Sequence, residues 1–347
     1  MNPFADFKSV RSSEEILETA IRRASKVKTS FSPRQSKIAR IKKEEVKKVR
    51  VLAQNITGPL NKVIKQMPTL SNIDPFYQEL TEILVGIDKL RKTLASLSGS
   101  TRVIKNIADQ HIRRIRKTSN LGVITSERKA AYGRIASVMK KLQGRMVFLK
   151  DVFRRLRGLP STDPSVLTIA VGGPPNVGKS TFVKEVSSAK PEIAAYPFTT
   201  RELIVGHIEL DRQRIQIIDL PGLLDRPLGE RNAIELQAIT ALKHLANVII
   251  FIIDPSETSG YPIDSQLSLF HEIKTTFDKI PIISVINKID LASHQQIQKV
   301  KERMRGISEM VATKGIGIRE LLQRALEVLP PPQEQRSSTE LKKDNSD

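Results

Sequence analysis

Apolar residues in the first 160 positions recur every three or four residues, which is the spacing of helices that bury one face. These stripes predict helices at residues 12–28, from Ser36 to a stop at Gly58-Pro59, from Pro75 to a stop at Gly99, from Val103 to Lys117, and from about Ser126 to Leu156. Glycine and proline mark the stops because proline lacks a backbone N–H and glycine weakens a helix. We expect an all-α, antiparallel helical bundle over residues 1–160.

The pattern changes after residue 160, where a proline-rich, polar stretch at 159–164 indicates a linker. Beyond it, short β-rich runs occupy residues 166–171, 204–210, 215–220, 248–253, 282–286 and, more weakly, 307–311. Amphipathic stretches alternate with them at 180–189, 232–246, 264–277, 293–304 and 317–328. This alternation predicts an α/β domain over residues 161–330 with a doubly wound, mostly parallel sheet. We expect the polar residues 331–347 to form a disordered tail.

The charge is distributed very unevenly between the two halves. Residues 1–160 carry 35 Lys and Arg against 13 Asp and Glu, a net charge of +22, whereas residues 161–347 carry 22 against 24. Such an excess is typical of a domain that binds a phosphate backbone. A solvated helical surface is the alternative, since Lys and Arg also favour helices. Aromatic residues are few and dispersed, so recognition of folded RNA by shape fits better than base stacking, and we expect no DNA specificity.

Composition also excludes several classes of protein. The chain has no cysteine and five scattered histidines, so disulfides and thiolate or histidine metal clusters are not expected. No apolar run approaches the ~18 residues of a membrane span, and the first residues lead directly into polar sequence without a signal-peptide pattern. We therefore expect a cytoplasmic protein with no membrane partner, and a monomer.

One glycine-rich stretch follows the first β-rich run and opens a helix. Gly173-Pro174-Pro175-Asn176-Val177-Gly178-Lys179-Ser180-Thr181 matches the phosphate-loop pattern G-x-x-x-x-G-K-[ST] at every fixed position. In such a loop the backbone N–H groups surround the phosphates of a nucleotide, Lys179 adds a positive charge and Ser180 offers its hydroxyl to Mg²⁺. A chance glycine turn is the alternative for this motif alone.

Two further motifs lie where strands of the predicted sheet end, which is where such sheets bind ligands. Asp219-Leu220-Pro221-Gly222 offers a carboxylate to the water shell of Mg²⁺ and a backbone N–H to the terminal phosphate. Asn287-Lys288-Ile289-Asp290 offers a carboxylate that can accept two hydrogen bonds from the N1–H and 2-amino group of guanine, a pattern that adenine lacks. Either tetrapeptide alone could be an ordinary turn. In this order after a phosphate loop, they predict a GTP and GDP site.

The catalytic candidates are Lys179, Thr200 and Asn176. A threonine between the phosphate loop and Asp219 can reach Mg²⁺ with its hydroxyl and the γ-phosphate with its backbone, and we favour Thr200 over Thr199. Position 223 is leucine, which cannot orient an attacking water, so intrinsic hydrolysis should be slow. Asn176 could compensate by coordinating K⁺ beside the phosphates, or it could only cap the loop.

Together these residues resemble the nucleolar GTP-binding protein 1 family, a branch of the Obg-related GTPases, over nearly the whole chain. Besides the phosphate loop and the guanine motif, the resemblance rests on residues 196–200 with Val205-Gly206-His207, on 219–228 with Glu230-Arg231-Asn232, on Ser259-Gly260-Tyr261 with Gln266, and on the opening Asn2-Pro3-Phe4. The phosphate loop and guanine motif indicate only a GTPase. The long string from Asp219 onward indicates the family.

The resemblance implies a P-loop GTPase that acts as an assembly factor of the large ribosomal subunit, with its basic helical domain on ribosomal RNA. The chain is similar to a short, archaeal-type form, since it stops soon after the last predicted helix. The last guanine loop of the family usually reads Ser-Ala-x. Here Val311-Ala312-Thr313 stands in, so Ala312 is expected to give its N–H to the base while the serine contribution is lost.

Three functions fit these residues. The first is a GTP-hydrolysing switch that docks on RNA of the large subunit. The second is an RNA-binding structural factor for which GTP is an ordering ligand with negligible turnover, and Leu223 keeps this alternative open. The third is a GTPase on a protein or membrane partner, which the absence of an amphipathic helix with exposed aromatic residues disfavours.

Overall fold

The structure is a computed structural model that describes residues 2–29, 35–159, 161–163, 166–195, 202–210, 213–219, 224–226, 229, 231 and 233–328. Its residues form two compact units. The helical unit comprises Pro3–Ile73 and Thr81–Gly158, and the sheet unit comprises Met1–Asn2, Asp74–Leu80 and Leu159–Asp347. Among the described residues, no helix combines the length and apolarity needed to cross a membrane.

Five α-helices precede the sheet in the described chain: α1 Ser13–Ser25, α2 Lys37–Gln66, α3 Pro75–Val85, α4 Ile87–Lys117 and α5 Leu121–Arg157. Within the helical unit, α2 packs against α1, α4 and α5. Side chains at helical spacing on these helices are buried, including Leu52, Ile56 and Leu60 of α2. The predicted stripe of α5 is buried along its whole length. The prediction of an all-α bundle is therefore confirmed.

The predicted stop at Gly58-Pro59 is wrong, because α2 continues to Gln66 with Pro59 inside it. An internal proline costs a helix about 3 kcal/mol, since one backbone hydrogen bond is lost and the ring meets a carbonyl. Leu60 and Val63, beyond the proline, continue the buried stripe. Burial of such side chains contributes about 1.5–3 kcal/mol each, so packing offsets the cost of the proline.

The predicted stop at Gly99 is also wrong, and the break lies at Gly86 instead. A Cβ at Gly99 would contact nothing within 4 Å, and buried Leu97 and Thr101 carry the helix through it. Gly86 has φ of 72°, a left-handed conformation that glycine adopts without strain. The carboxylate of Glu82 accepts the N–H of Ile87 at 2.8 Å and so caps the start of α4.

The described residues of the sheet unit form a seven-stranded sheet with the order β2-β3-β4-β1-β5-β6-β7. Its strands are β1 Thr168–Gly172, β2 Glu192–Ala195, β3 Glu202–Leu210, β4 Gln213–Asp219, β5 Val248–Ile253, β6 Ile282–Ile286 and β7 Ser308–Glu309. The helices are α6 Lys179–Val186, α7 Ala233–Leu242, α8 Ile263–Thr276, α9 His294–Arg303 and α10 Ile318–Val328. The pairs β1–β4, β1–β5, β5–β6 and β6–β7 are parallel, and β2–β3 and β3–β4 are antiparallel.

The fold prediction is confirmed: an all-α bundle precedes a doubly wound, mostly parallel sheet of the P-loop GTPase type. Strand β2 is not among the predicted strands. The strand, Glu192–Ala195, is short, and half of its residues are alanine, a residue type that is depleted in strands. It is held as an antiparallel edge by β3, an interaction that local sequence does not reveal.

A chain of buried and partly buried hydrogen bonds joins the start of α3 to the sheet. The hydroxyl of Tyr77 donates to the carbonyl of Thr162 at 2.8 Å, and the N–H of Asp163 donates to Oε1 of Gln216 on β4 at 3.1 Å. Nε2 of Gln216 in turn donates to the hydroxyl of Thr168 on β1 at 3.1 Å. Burial raises the pKa of Tyr77 to about 12. The first turns of α3 are thereby fixed to the end of the sheet opposite the carboxyl end of β1.

Replacing Tyr77 by phenylalanine should lower the free energy of unfolding by about 1–2 kcal/mol at neutral pH, because the buried carbonyl of Thr162 loses its donor. The folded protein favours the neutral, protonated phenol, because the pKa of Tyr77 is about 12 in the folded state and about 10 in the unfolded state. The resulting stabilisation is fully present below about pH 10 and is lost as the pH rises through about 12. Urea denaturation over this pH range should show that decline in the unchanged chain and a weaker one in Tyr77→Phe. Tyr261→Phe, at an exposed tyrosine, is the matched control. Equal pH dependence in the unchanged chain and in both variants would contradict the assignment.

Candidate nucleotide-binding site

The loop between β1 and α6 requires glycine at two positions. Gly173 has φ of 135°, and a Cβ there would lie 2.4 Å from the carbonyl oxygen of Ile252 on β5. Gly178 has φ of 104°, and its Cβ would lie 2.3 Å from Nδ2 of Asn287. Both distances are too short for any side chain. The loop can therefore approach its neighbours this closely only because these residues have none.

Lys179 is the first residue of α6 and is buried. Its ammonium donates to the carbonyl oxygens of Gly173 at 2.8 Å and Pro174 at 2.7 Å. The side chain therefore folds back over the loop that precedes it. This places a positive charge beside the N-terminal end of α6, where the helix dipole also favours an anion.

Ser180 and Asp219 meet because of the register of the sheet. Asp219 ends β4 opposite Val171 of β1, and its Oδ2 accepts the hydroxyl of Ser180 at 2.5 Å. A hydroxyl and a buried carboxylate are oxygen ligands of the kind that Mg²⁺ prefers, so the pair fits a magnesium site. In the described part of the chain no group of three or more His, Cys, Asp or Glu could hold a metal. Hydroxyl, water or phosphate oxygens can supply the remaining ligands.

The buried side chain of Asn287 joins two loops. Its Nδ2 donates to the carbonyl of Val177 in the phosphate loop at 2.8 Å, and its Oδ1 accepts the N–H of Ala312 at 2.9 Å. Its own N–H donates to the carbonyl of Ile253 at the end of β5. Asn287 therefore acts as a positioning residue that holds the phosphate loop and the loop after β7 in a fixed relation.

This arrangement changes the role expected for Ala312. Its N–H, which we expected to donate to a guanine base, donates instead to Asn287. The reason is that Ala312 is buried and begins a short 3-10 turn, Ala312–Lys314, which directs its N–H inward. Thr313, the next residue of the turn, is exposed. A contribution of this loop to base recognition would have to come from residues other than Ala312.

Lys288 is held by a carboxylate that follows β5. Its φ is 60°, and its ammonium contacts Oδ2 of Asp254 at 2.8 Å and the hydroxyl of Thr258 at 3.0 Å. Burial alone would raise the pKa of Asp254, but the ammonium of Lys288 and the donors of Ser256 and Ser259 outweigh burial and lower that pKa. Asp254 therefore stays ionised and orders the lysine of the guanine motif.

Asp290, the predicted base reader, lies at the surface beside Lys314. The two side chains form an ion pair of 2.8 Å between Oδ2 and Nζ. The hydrogen bond from Lys314 lowers the pKa of Asp290. The carboxylate is therefore ionised at neutral pH, as an acceptor for two N–H donors of a base requires.

The remaining predicted residues are distributed as follows. Asn176 is exposed with φ of 63°, Thr181 is exposed and Pro174 is buried. Val177 is buried in the core of the sheet unit. Thr200, Gly222 and Leu223 lie outside the described residues. The structure thus brings together the phosphate loop, Asp219 and the guanine motif at the carboxyl ends of β1, β4 and β6.

Two residues of this site escaped the sequence analysis. Asp254 follows the run 248–253 just as Asp219 ends its own strand, so the strand-end rule could have found it. Lys314 could not be found that way, because its contact with Asp290 depends on how the chain turns after β7.

Comparison with known proteins identifies the family of this chain. The model of the NOG1 N-terminal helical domain matches residues 4–163, and that of nucleolar GTP-binding protein 1 (NOG1) matches residues 233–290. An uncharacterized protein of Methanocaldococcus jannaschii is 40% identical over 300 residues, which cover 86% of this chain and 83% of that protein. Nucleolar GTP-binding protein 1 of Drosophila melanogaster is 37% identical over 282 residues, or 81% of this chain. The chain belongs to the nucleolar GTP-binding protein 1 family.

The match spans only 43% of the length of the Drosophila NOG1 protein. Among solved structures, a nucleolar GTP-binding protein 1 of Plasmodium falciparum is 39% identical with a TM-score of 0.43, covering 49% of this chain and 89% of that one. The matches to the family models and to the Methanocaldococcus and Drosophila proteins confirm the resemblance to the NOG1 family inferred from the motifs.

In this NOG1-family chain, Asn287→Ala should weaken binding of a fluorescent guanine nucleotide by about tenfold or more. The variant leaves the carbonyl of Val177 and the N–H of Ala312 without a partner, each at a cost of about 1–3 kcal/mol. Asn247→Ala is a matched control, because the Asn247 amide accepts the N–H of Thr168 at the opposite end of β1. That control should lower stability while leaving nucleotide affinity unchanged. Equal loss of affinity in both would show that Asn287 acts only through stability.

Proposed function

We propose that this protein binds GTP, hydrolyses it with Mg²⁺ and acts as a switch in assembly of the large ribosomal subunit. The observation that carries the proposal is the meeting of three motifs at one edge of the sheet: the phosphate loop, Asp219 and the guanine motif Asn287–Asp290. Membership of the NOG1 family supports the choice of guanine nucleotide. We further propose that the protein acts in the cytoplasm.

The chemistry of the site supports hydrolysis of the terminal phosphate bond. Lys179 and the N–H groups of the phosphate loop would bind the phosphates, and Asp219 with Ser180 would hold Mg²⁺. The metal, when bound, neutralises charge that develops on the phosphate oxygens. Leucine at position 223 offers no group to orient water, so we propose that the intrinsic reaction is slow. Asn176 is exposed on the loop, and we propose that it coordinates a K⁺ ion beside the phosphates.

The charge of the first 160 residues supports docking on ribosomal RNA. Their net charge of +22 favours a polyanion, since binding releases the counterions of the phosphate backbone. A second function remains in view, an RNA-binding factor that GTP orders without significant turnover. Leu223 is the observation that favours it.

Asp290→Asn should lower GTP affinity by about 100-fold or more and favour xanthine nucleotides. The change removes the charged acceptor of two hydrogen bonds, each worth about 1.5–3 kcal/mol, while xanthine offers a carbonyl to the new amide. Competition binding with GTP, XTP and ATP measures this. Asp264→Asn, at an exposed carboxylate that pairs with Arg303, is the control and should bind GTP normally. Retained GTP affinity in Asp290→Asn would refute the assignment of the base reader.

Single-turnover hydrolysis of GTP should be slow for the protein alone and faster with purified large ribosomal subunits. The expected reason is that Leu223 cannot orient water, so a group supplied by the subunit completes the site. Measurements in K⁺ and in Na⁺ test Asn176, since Asn176→Ala should abolish any advantage of K⁺. If large subunits do not change the hydrolysis rate, the switch function is wrong and the alternative, an RNA-binding factor ordered by GTP, is favoured.

A further inference from the structure

Three adjoining cavities run along the helical unit and share residues. Cavity A, of about 510 Å³, and cavity B, of about 420 Å³, are both lined by Gln54 of α2. Cavity B and cavity C, of about 450 Å³, are both lined by Lys8 and Ser9. Since each cavity shares lining residues with the next, the three are neighbours on the helical unit, and we call the three together the basic groove.

Cations dominate the lining of the groove. Cavity A is lined by Lys42, Lys43, Lys47, Arg50 and Arg116. Cavity B is lined by Lys8, Arg11, Arg23 and Lys62. Cavity C adds Lys150, Arg154 and Arg157, together with Asp151. Among the described residues, twelve cations thus line the groove against one carboxylate, which already pairs with Arg154 at 2.6 Å and Arg155 at 2.7 Å.

Helix α2 forms the long wall of the groove. Lys43, Lys47, Arg50 and Gln54 follow one another at steps of three and four, so they share a face of the helix. From Lys42 to Gln66 this wall is about 36 Å long, at about 1.5 Å per residue. Partly buried apolar residues such as Val51 and Pro59 also line cavities A and B. The cations are therefore arranged as a track along a concave surface.

Three cations of the groove are available to a ligand. Arg11, Arg50 and Lys62 are exposed, and within the described part of the chain they have no carboxylate partner. The acidic residues of α1, Glu14, Glu15 and Glu18, do not line any of the three cavities. The carboxylates of α1 therefore do not lie among the cations of the groove.

We propose that the basic groove binds the phosphate backbone of one continuous RNA segment. The proposal rests on the proposed docking on ribosomal RNA and goes further by naming the face and the residues. A backbone is the occupant that fits, because it presents negative charge repeatedly along its length, as the groove presents cations. A membrane surface fits poorly, because the groove is concave and its aromatic residues, Phe7 and Phe153, are buried.

The test compares two triple variants of the full chain. The groove variant, Arg50→Ala with Lys62→Ala and Lys150→Ala, removes one exposed cation from each cavity. The control, Arg102→Ala with Lys105→Ala and Lys140→Ala, removes the same charge from exposed helical positions that line none of the three cavities. Alanine is the best helix former, so both variants should fold, which circular dichroism and thermal melting check.

Binding to in-vitro-transcribed large-subunit ribosomal RNA is measured over a range of salt concentrations. The groove variant should bind about tenfold to a hundredfold more weakly at 0.1 M salt, and the slope of log affinity against log salt should flatten by about 2–3. The control should change much less in both quantities.

Each other outcome is decisive. Equal loss in the two variants, or no loss in the groove variant, overturns the groove while RNA docking by another face survives. Failure of the unchanged chain to bind the RNA overturns the proposed docking itself. Tighter, groove-dependent binding to phosphatidylserine vesicles or to polyglutamate than to RNA would reassign the groove to a lipid surface or an acidic protein.

Discussion

The carboxamide of Asn287 is the contact on which the candidate nucleotide site depends. It lies 3% exposed between the phosphate loop and the loop after β7 and bonds to both. Gly178 must be glycine because this side chain lies so close to it. A short loop with left-handed glycines has many conformations available in isolation. In this protein the loop is held in one conformation, because any other conformation would break a hydrogen bond of the buried Asn287 amide.

The charged groups of the site already have partners within the chain. Lys179 contacts two loop carbonyls, Asp219 accepts the hydroxyl of Ser180, Asp254 holds Lys288, and Asp290 holds Lys314. A nucleotide must therefore exchange some of these contacts rather than meet bare charges. The net affinity is then a difference between two sets of hydrogen bonds. The gain is that each of these side chains is oriented before binding, which limits the entropic cost of ordering it.

Features that depend on local interactions could be predicted from the sequence, and features that depend on contacts between distant segments could not. Periodicity and glycine spacing are local, so the strands at 248–253 and 282–286 and the phosphate loop were found from the residues alone. The stop expected at Gly58-Pro59 follows from local rules, and tertiary burial of Leu60 and Val63 overrides it. The use of the Ala312 N–H by Asn287 and the Lys314–Asp290 pair join segments about 25 residues apart. No local pattern encodes such contacts.

The continuation of α2 through Pro59 also decides what the helical unit can offer a polyanion. Had the helix ended at Gly58, Arg50 and Lys62 would stand on separate elements, and a turn would interrupt the row of cations within cavity B. Because packing carries the helix onward, both cations lie on one rigid rod of 30 residues. A fixed row of charges loses little conformational entropy when it binds an extended backbone, whereas charges on a turn would have to be ordered first. The core that tolerates Pro59 therefore also fixes the geometry of the basic groove.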